Sequence, residues 1–434
     1  MLVYSTAISP RLQYITKLAG EAICGDEWNV TSDLDEYLRY PGPRINYSTA
    51  RQPNDLLFIY PHGLLHETGV RVIDATVFTT NEYPILFPTD GDLPFDVFAA
   101  SFWLLTRYEE YLPHEKDMYG RYAHQNSLAW REGFLDKPVV NRWFNELASG
   151  LALRMPGIAL KKKEFTFRPT YDIDIAWSYL NKGIMRNLLG SIKDIVTLKP
   201  IRLGIRWRVL AFDLPDPYDA YEWMDQLHSE LQVAPVYFFL VARDRGKYDY
   251  NISPTKPALR TLIKGHSLKY ETGVHPSWKS GDQPGYVGYE KSLIEAVTGK
   301  KVIHSRQHYI RMDLPKTYRT LIDAGILHDY SMGYGSINGF RASYSSPYRW
   351  YDLDREEATN LTLHPFCYME ANSYYEQKYT PDQALTEMRH YAAQLRDTGG
   401  TMITIWHNHF LGTEPVFAEW KRIYEVFLRE MSGG

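Results

Sequence analysis

"EFTFRPTYDIDIAW", Glu164 to Trp177, is the stretch on which the reading of this chain turns. Phe165, Phe167 and Tyr171 alternate with polar residues, the period of a half-buried strand. Asp172 and Asp174 follow one residue apart, and Ile175 to Val196 then has helical spacing. Two readings compete. The acids can be a helix N-cap and a first-turn carboxylate, both favourable to the helix dipole. They can also be paired carboxylates at the mouth of a strand, one binding and one moving protons.

Downstream the same strand-then-helix pattern repeats. "APVYFFLV" (Ala234–Val241) is a continuous apolar run, expected to be a buried strand. "PALRTLIKG" reads as a helix ending at Gly265, and "TGVHPSW" follows a short strand. "PKTYRTLIDAG" is another helix, closed by Gly325. "TPDQALTEMRHYAAQLRDTGG" carries Thr380 as N-cap, Pro381 in the first turn, Gln383 completing a capping box and Gly399 at the C-cap. "TMITIWHNHF" is the last strand. Repeated βα units imply an α/β fold with a parallel sheet or barrel, in which chemistry gathers at the C-terminal strand ends.

Upstream, "MPGIALKKKEF" breaks the composition. It predicts a boundary near residue 160, giving a smaller N-terminal domain of mixed α+β type (1–160) and a larger domain (161–434). "LLFIYP" and "RVIDATVF" read as strands in the first part, and "PFDVFAASFWLLTRYEEYL" as a helix with Pro94 in its first turn. No catalytic set assembles there. His62 and His66 have the spacing of a helical metal pair, but Pro61 and Gly63 oppose a helix.

A net charge of −4 over 434 residues argues against a nucleic-acid partner. Cys24 and Cys367 have no metal-type spacing and form no disulfide framework, which fits a reducing compartment. The sequence as given begins without a basic-then-apolar leader, and "VFAASFWLL" is too short to be a transmembrane segment. A cytoplasmic protein is expected.

Four clusters fall where strands should end: Asp172/Asp174, His275, Arg306/His308 and His407/His409. One carboxylate and two imidazoles can hold a divalent ion with a position left for water. A second carboxylate can take the water proton, an imidazole can protonate a leaving amine, and an arginine can keep the base ionised. The chemistry that fits is metal-assisted hydrolysis.

In order, "TYDID", "APVYFFLV", "GVHPSW", "SRQHYIR" and "IWHN" resemble the motifs of the polysaccharide deacetylases, the NodB-homology or carbohydrate esterase family 4 group. "FWLLTRYEEYL" and "DYSMGYGSINGFRAS" resemble a Bacteroidetes-type subgroup with an extra uncharacterised N-terminal domain. The resemblance spans residues 164 to 412. It implies a distorted (β/α) barrel and a zinc-type metal-dependent hydrolase that removes an acetyl group from an N-acetylated sugar in surface-polysaccharide or glycoconjugate metabolism. By the resemblance, Asp172 matches the catalytic base, Asp174 the metal aspartate, and His275 the first metal histidine. Arg306 matches the arginine that orients the base, and His407 the acid.

The chain departs from the family where a second metal histidine should stand, four residues after the first: that position is Lys279. His308 is the replacement candidate, sharing a strand face with Arg306, and His266 is a weaker one. "NGFRASYSSPYRW" sets Arg341 among Tyr344 and Trp350, a pattern suited to an anionic sugar. Two alternatives stay open: a degenerate carbohydrate-binding protein, and a hydrolase of a non-sugar amide C–N bond.

Overall fold

A computed structural model describes residues 1–79, 83–212 and 214–433. Near the N-terminus, strands β1 (Leu2–Tyr4), β2 (Asn29–Thr31), β3 (Arg44–Tyr47) and β4 (Phe58–Ile59) form a wholly parallel sheet in the order β2-β1-β3-β4. Strands β5 (Val77–Thr79) and β6 (Pro84–Leu86) pair as an antiparallel hairpin. The described strands before β7 thus form a small parallel sheet and one antiparallel pair. The predicted aromatic-rich helix runs Val97–Leu105, capped by Asp96, so Pro94 precedes the cap instead of opening the helix.

The larger sheet contains β7 (Phe165–Ile173), β8 (Val236–Phe239), β9 (Glu271–Val274), β10 (His304–Ser305) and β11 (His328–Asp329). It continues with β12 (Tyr348–Asp352), β13 (Glu357–Leu363), β14 (Tyr368–Met369) and β15 (Gly400–His407). Their order is β12-β13-β11-β10-β9-β8-β7-β15-β14, parallel except for the β12–β13 pair. Among the described residues no pairing joins β12 to β14, so strand hydrogen bonds do not close the expected barrel. The edge strand β14 has two residues before the chain turns into a short π-helix, Asn372–Glu376.

Alternation decides which side each residue serves. On β8, Tyr237 and Phe239 join the main core, whereas Val236 and Phe238 face a second apolar cluster with Ile403, Ile405, Tyr330 and Phe366. That second cluster is the apolar floor beneath the strand ends. Gly273 on β9 makes it possible: a Cβ there would stand 2.6 Å from the Phe238 ring and 2.7 Å from the His304 carbonyl. The helix Pro381–Thr398 has the expected capping box and Gly399 C-cap, and packs beside β15.

The main core continues across residue 160. Tyr14 packs tilted and Phe102 edge-on against Tyr351, with centroids 5.0 and 5.2 Å apart, and Arg11 pairs with Glu356.

Candidate active site

Parallel register brings the predicted clusters to one mouth. Asp172 and His407 are paired positions on β7 and β15, while His275 and Arg306 each stand one residue past the ends of β9 and β10. Asp172 and Asp174 are not a helix cap. The next helix begins at Ile184, because Asp216 accepts the backbone N–H groups of Ser178, Tyr179 and Leu180 and folds that segment as a turn. The local capping explanation of the acid pair therefore falls away.

Arg306 is fully buried and donates from Nη1 to Asp172 Oδ1 at 2.9 Å. Its Nε donates to the Tyr330 carbonyl, and its guanidinium lies 4.5 Å from the Phe238 ring centre. Asp172 Oδ2 remains on the cavity side, 3.8 Å from His275 Nε2.

Asp174, His275 and His308 converge, their ligand atoms all within 4.8 Å of one another. Asp174 Oδ1 is 3.1 Å from His275 Nε2, and Asp174 Oδ2 is 3.4 Å from His308 Nε2. A tetrahedral ion with bonds near 2.1 Å spaces its ligands roughly 3.4 Å apart, so the set fits one. Two further observations agree. His275 Nδ1 donates to the Arg306 carbonyl at 2.6 Å, which fixes the ring and turns Nε2 toward Asp174. Asp174 Oδ1 is buried without a hydrogen-bond partner despite that close nitrogen.

His308 Nδ1 is held by Asp249 at 2.9 Å, the carboxylate–histidine arrangement that orients metal ligands. Burial opposes charge on His308, but Asp174 and Asp249 outweigh it and push its pKa up to about 9, so a metal must displace a proton there. Burial likewise favours neutral Asp174, yet His308 and His407 hold its pKa well below the usual carboxylate range.

His308 arrives by a route different from the one expected. β10 ends at Ser305, so Arg306 and His308 do not share a strand face. A 3₁₀ turn follows, with Tyr309 at φ 60° and Ile310 at φ 52°. Positive φ at consecutive non-glycine residues, one β-branched, is local strain of the kind that clusters at functional sites.

His407 Nε2 is 3.3 Å from Asp174 Oδ2, and its Nδ1 is 2.6 Å from Glu370 Oε1. Burial works against the imidazolium, but Glu370 and Asp174 raise its pKa well above the ordinary value. His409 differs sharply: it sits in the 3₁₀ turn after β15, and burial pushes it down to about 3.

The other predicted positions lie elsewhere. Lys279 is half exposed and pairs with Asp244 at 3.4 Å. His266 is buried inside the helix Pro257–Lys269, which continues past Gly265, and bonds the Leu262 carbonyl. Arg341, Tyr344 and Trp350, expected on the substrate, are all buried away from the cavity. Arg341 pairs with Glu110 at 2.5 Å, Tyr344 packs edge-on against Phe144 and Tyr348, and Trp350 packs against Tyr318. All three pack in the core, which corrects that expectation. His62 stacks on Phe87 and His66 lies 3.5 Å from Ser5 Oγ, so the two share no site.

The cavity over the centre encloses about 410 Å³. Residues outside the predicted site set line it. Tyr119 and Arg121 come from the N-terminal part, where no functional set was expected. Tyr248 and Tyr309 add to the wall, with Trp278 stacked 3.9 Å behind Tyr248. Asn372, Tyr375 and Glu376 of the π-helix complete it.

A family model of unknown function, DUF7033, matches residues 1–156. No curated protein matches the chain. Among solved structures it is similar to a protein from Mycobacterium smegmatis assigned as a polysaccharide deacetylase, at 15% identity and TM-score 0.39, covering 62% of this chain and 85% of that one. It is also similar to a polysaccharide deacetylase from Bacillus cereus (10%, TM-score 0.30, 62% and 88% covered). A third is the catalytic domain of a peptidoglycan N-acetylglucosamine deacetylase from Eubacterium rectale (8%, TM-score 0.30, 63% and 86% covered). At these scores the overlap transfers no residue roles.

Proposed function

We propose that this protein is a metal-dependent deacetylase that hydrolyses the amide of an N-acetylated sugar in surface-polysaccharide or glycoconjugate metabolism. The observation that carries the reading is the convergence of Asp174, His275 and His308 beside an ion-paired Asp172. A divalent ion held by those three residues, zinc by preference of the donor set, supplies Lewis acidity toward the acetyl carbonyl and toward water.

The chain's own groups do the rest. Asp172 takes the water proton through Oδ2, while Arg306 occupies Oδ1 and fixes the orientation of the group. His407, kept cationic by Glu370 and Asp174, gives its Nε2 proton to the departing nitrogen. Neutral His409 is unsuited to that role. Aromatic faces at Tyr248, Tyr309 and Tyr119 suit a sugar ring better than a small linear amide. Free Cys24 and Cys367 agree with a cytoplasmic setting.

The test is acetate release from N-acetylated amino-sugar oligomers by the full chain, stripped of metal and reloaded with zinc. Release only after zinc addition supports the proposal. Bound zinc with no release from any N-acetylated sugar leaves the carbohydrate-binding reading in its place.

A further inference from the structure

Between β7 and β8 the chain inserts a hairpin of two helices, Ile184–Val196 and Pro200–Ala211, and the amphipathicity of the first is reversed. A surface helix of a water-soluble protein normally turns its apolar stripe inward. In the first helix Asn187, Ser191 and Asp194 are the buried residues. The apolar side chains face out: Ile184, Ile192, Ile195, Val196, Leu198 and Ile201 are 57–86% exposed.

The inversion is fixed by specific bonds. Buried Arg206 on the second helix donates to Asp194 from Nη2 at 2.6 Å and to Asn187 from Nη1 at 3.2 Å. Gly190 makes room, since a Cβ there would stand 2.6 Å from Arg206 Nη1. With its polar stripe committed inward, the first helix presents the apolar one to whatever lies outside.

Charge identifies the occupant. Asp194 is the one acidic residue between 182 and 212, and Arg206 neutralises it. Lys182, Arg186, Lys193, Lys199, Arg202 and Arg208 remain as a cationic surplus. A second copy meeting this face across a two-fold axis would oppose that surplus with itself. An anionic bilayer matches both features, taking the apolar stripe into the acyl boundary and the lysines and arginines among the headgroups. Trp207, 44% exposed, has the amphipathic ring favoured at that depth. Among the described residues no helix is long and apolar enough to cross a membrane, so the hairpin would lie in the interface plane.

We propose that the hairpin Ile184–Ala211 docks this protein on an anionic phospholipid surface. Arg186 Nη2 donates to the carbonyl of Tyr250, a cavity-lining residue, at 3.4 Å, so docking brings the cavity rim close to the headgroups. The docking holds whichever reaction the site performs.

The experiment is flotation of the full chain with phosphatidylcholine vesicles, with and without phosphatidylglycerol. Binding is expected only to the phosphatidylglycerol vesicles. Lys193→Ala/Lys199→Ala should weaken it on the order of 30-fold, the effect of two charges at an anionic surface. Ile192→Ser/Val196→Ser/Leu198→Ser, all at exposed positions, should abolish it with melting unchanged. Three results overturn the proposal: no flotation with anionic vesicles, flotation that the serine variant retains, or a dimer in sedimentation that this variant converts to monomer.

Discussion

Arg306→Met removes the guanidinium that is bonded to buried Asp172. Both side chains are within 3% of fully buried, and the pair is bonded at 2.9 Å. Methionine keeps much of the volume and the contact with Phe238 but carries no charge. Removing one partner of a buried pair costs about 3–5 kcal/mol, so urea denaturation should report a loss of that size. Asp172 also loses the bond that holds its carboxylate in place, so kcat for acetate release should fall on the order of 100-fold, the scale of losing a positioned base, with zinc content near the wild-type value. The assays are urea denaturation, zinc content and acetate release by zinc-loaded wild type and variant. Wild-type activity in a folded, zinc-loaded variant would refute the reasoning, since Asp172 would then need no partner to hold it.

Other substitutions probe the surrounding shell. Asp249→Asn removes the carboxylate that orients His308, and should weaken zinc affinity by about 10–100-fold in a competition titration with a chelating dye, with melting little changed. Glu370→Gln keeps an acceptor for His407 but loses the charge that raises it. The acid form should then be lost at lower pH, moving the alkaline limb of the pH–rate profile downward, and an unmoved limb would exclude His407 as the acid. Arg341→Met removes one of the two arginines on buried Glu110, Arg107 keeping its bond at 2.7 Å, so urea denaturation should report a loss of about 1–3 kcal/mol while KM stays at the wild-type value.

Legibility followed the range of the forces involved. β7, β15 and the capped helix Pro381–Thr398 are written in local periodicity and capping chemistry, and the sequence reading placed them well. Their strand ends set Asp172, His275 and His407 around one mouth without further information. Asp249 and Glu370 carry no local mark: each is one acid among many until tertiary packing sets it against an imidazole. Arg341 and Trp350 were misread because an arginine among aromatics has the same composition in a core as on a sugar-binding face. Tyr119 and Arg121 reach the cavity from the far side of the expected boundary, which no pattern within residues 1–160 encodes. Periodicity predicts a helix over Ile175–Val196, of which only Ile184–Val196 is helical, and a periodic stripe does not say which side faces water.

The central claim is that His308 stands in for the ligand missing at Lys279. Zinc content after equilibration and gel filtration, measured on wild type, His308→Ala and Lys279→Ala, tests it most directly. One ion per chain is predicted in wild type and Lys279→Ala, with none retained in His308→Ala. Equal zinc in all three, or loss in Lys279→Ala alone, would contradict the account.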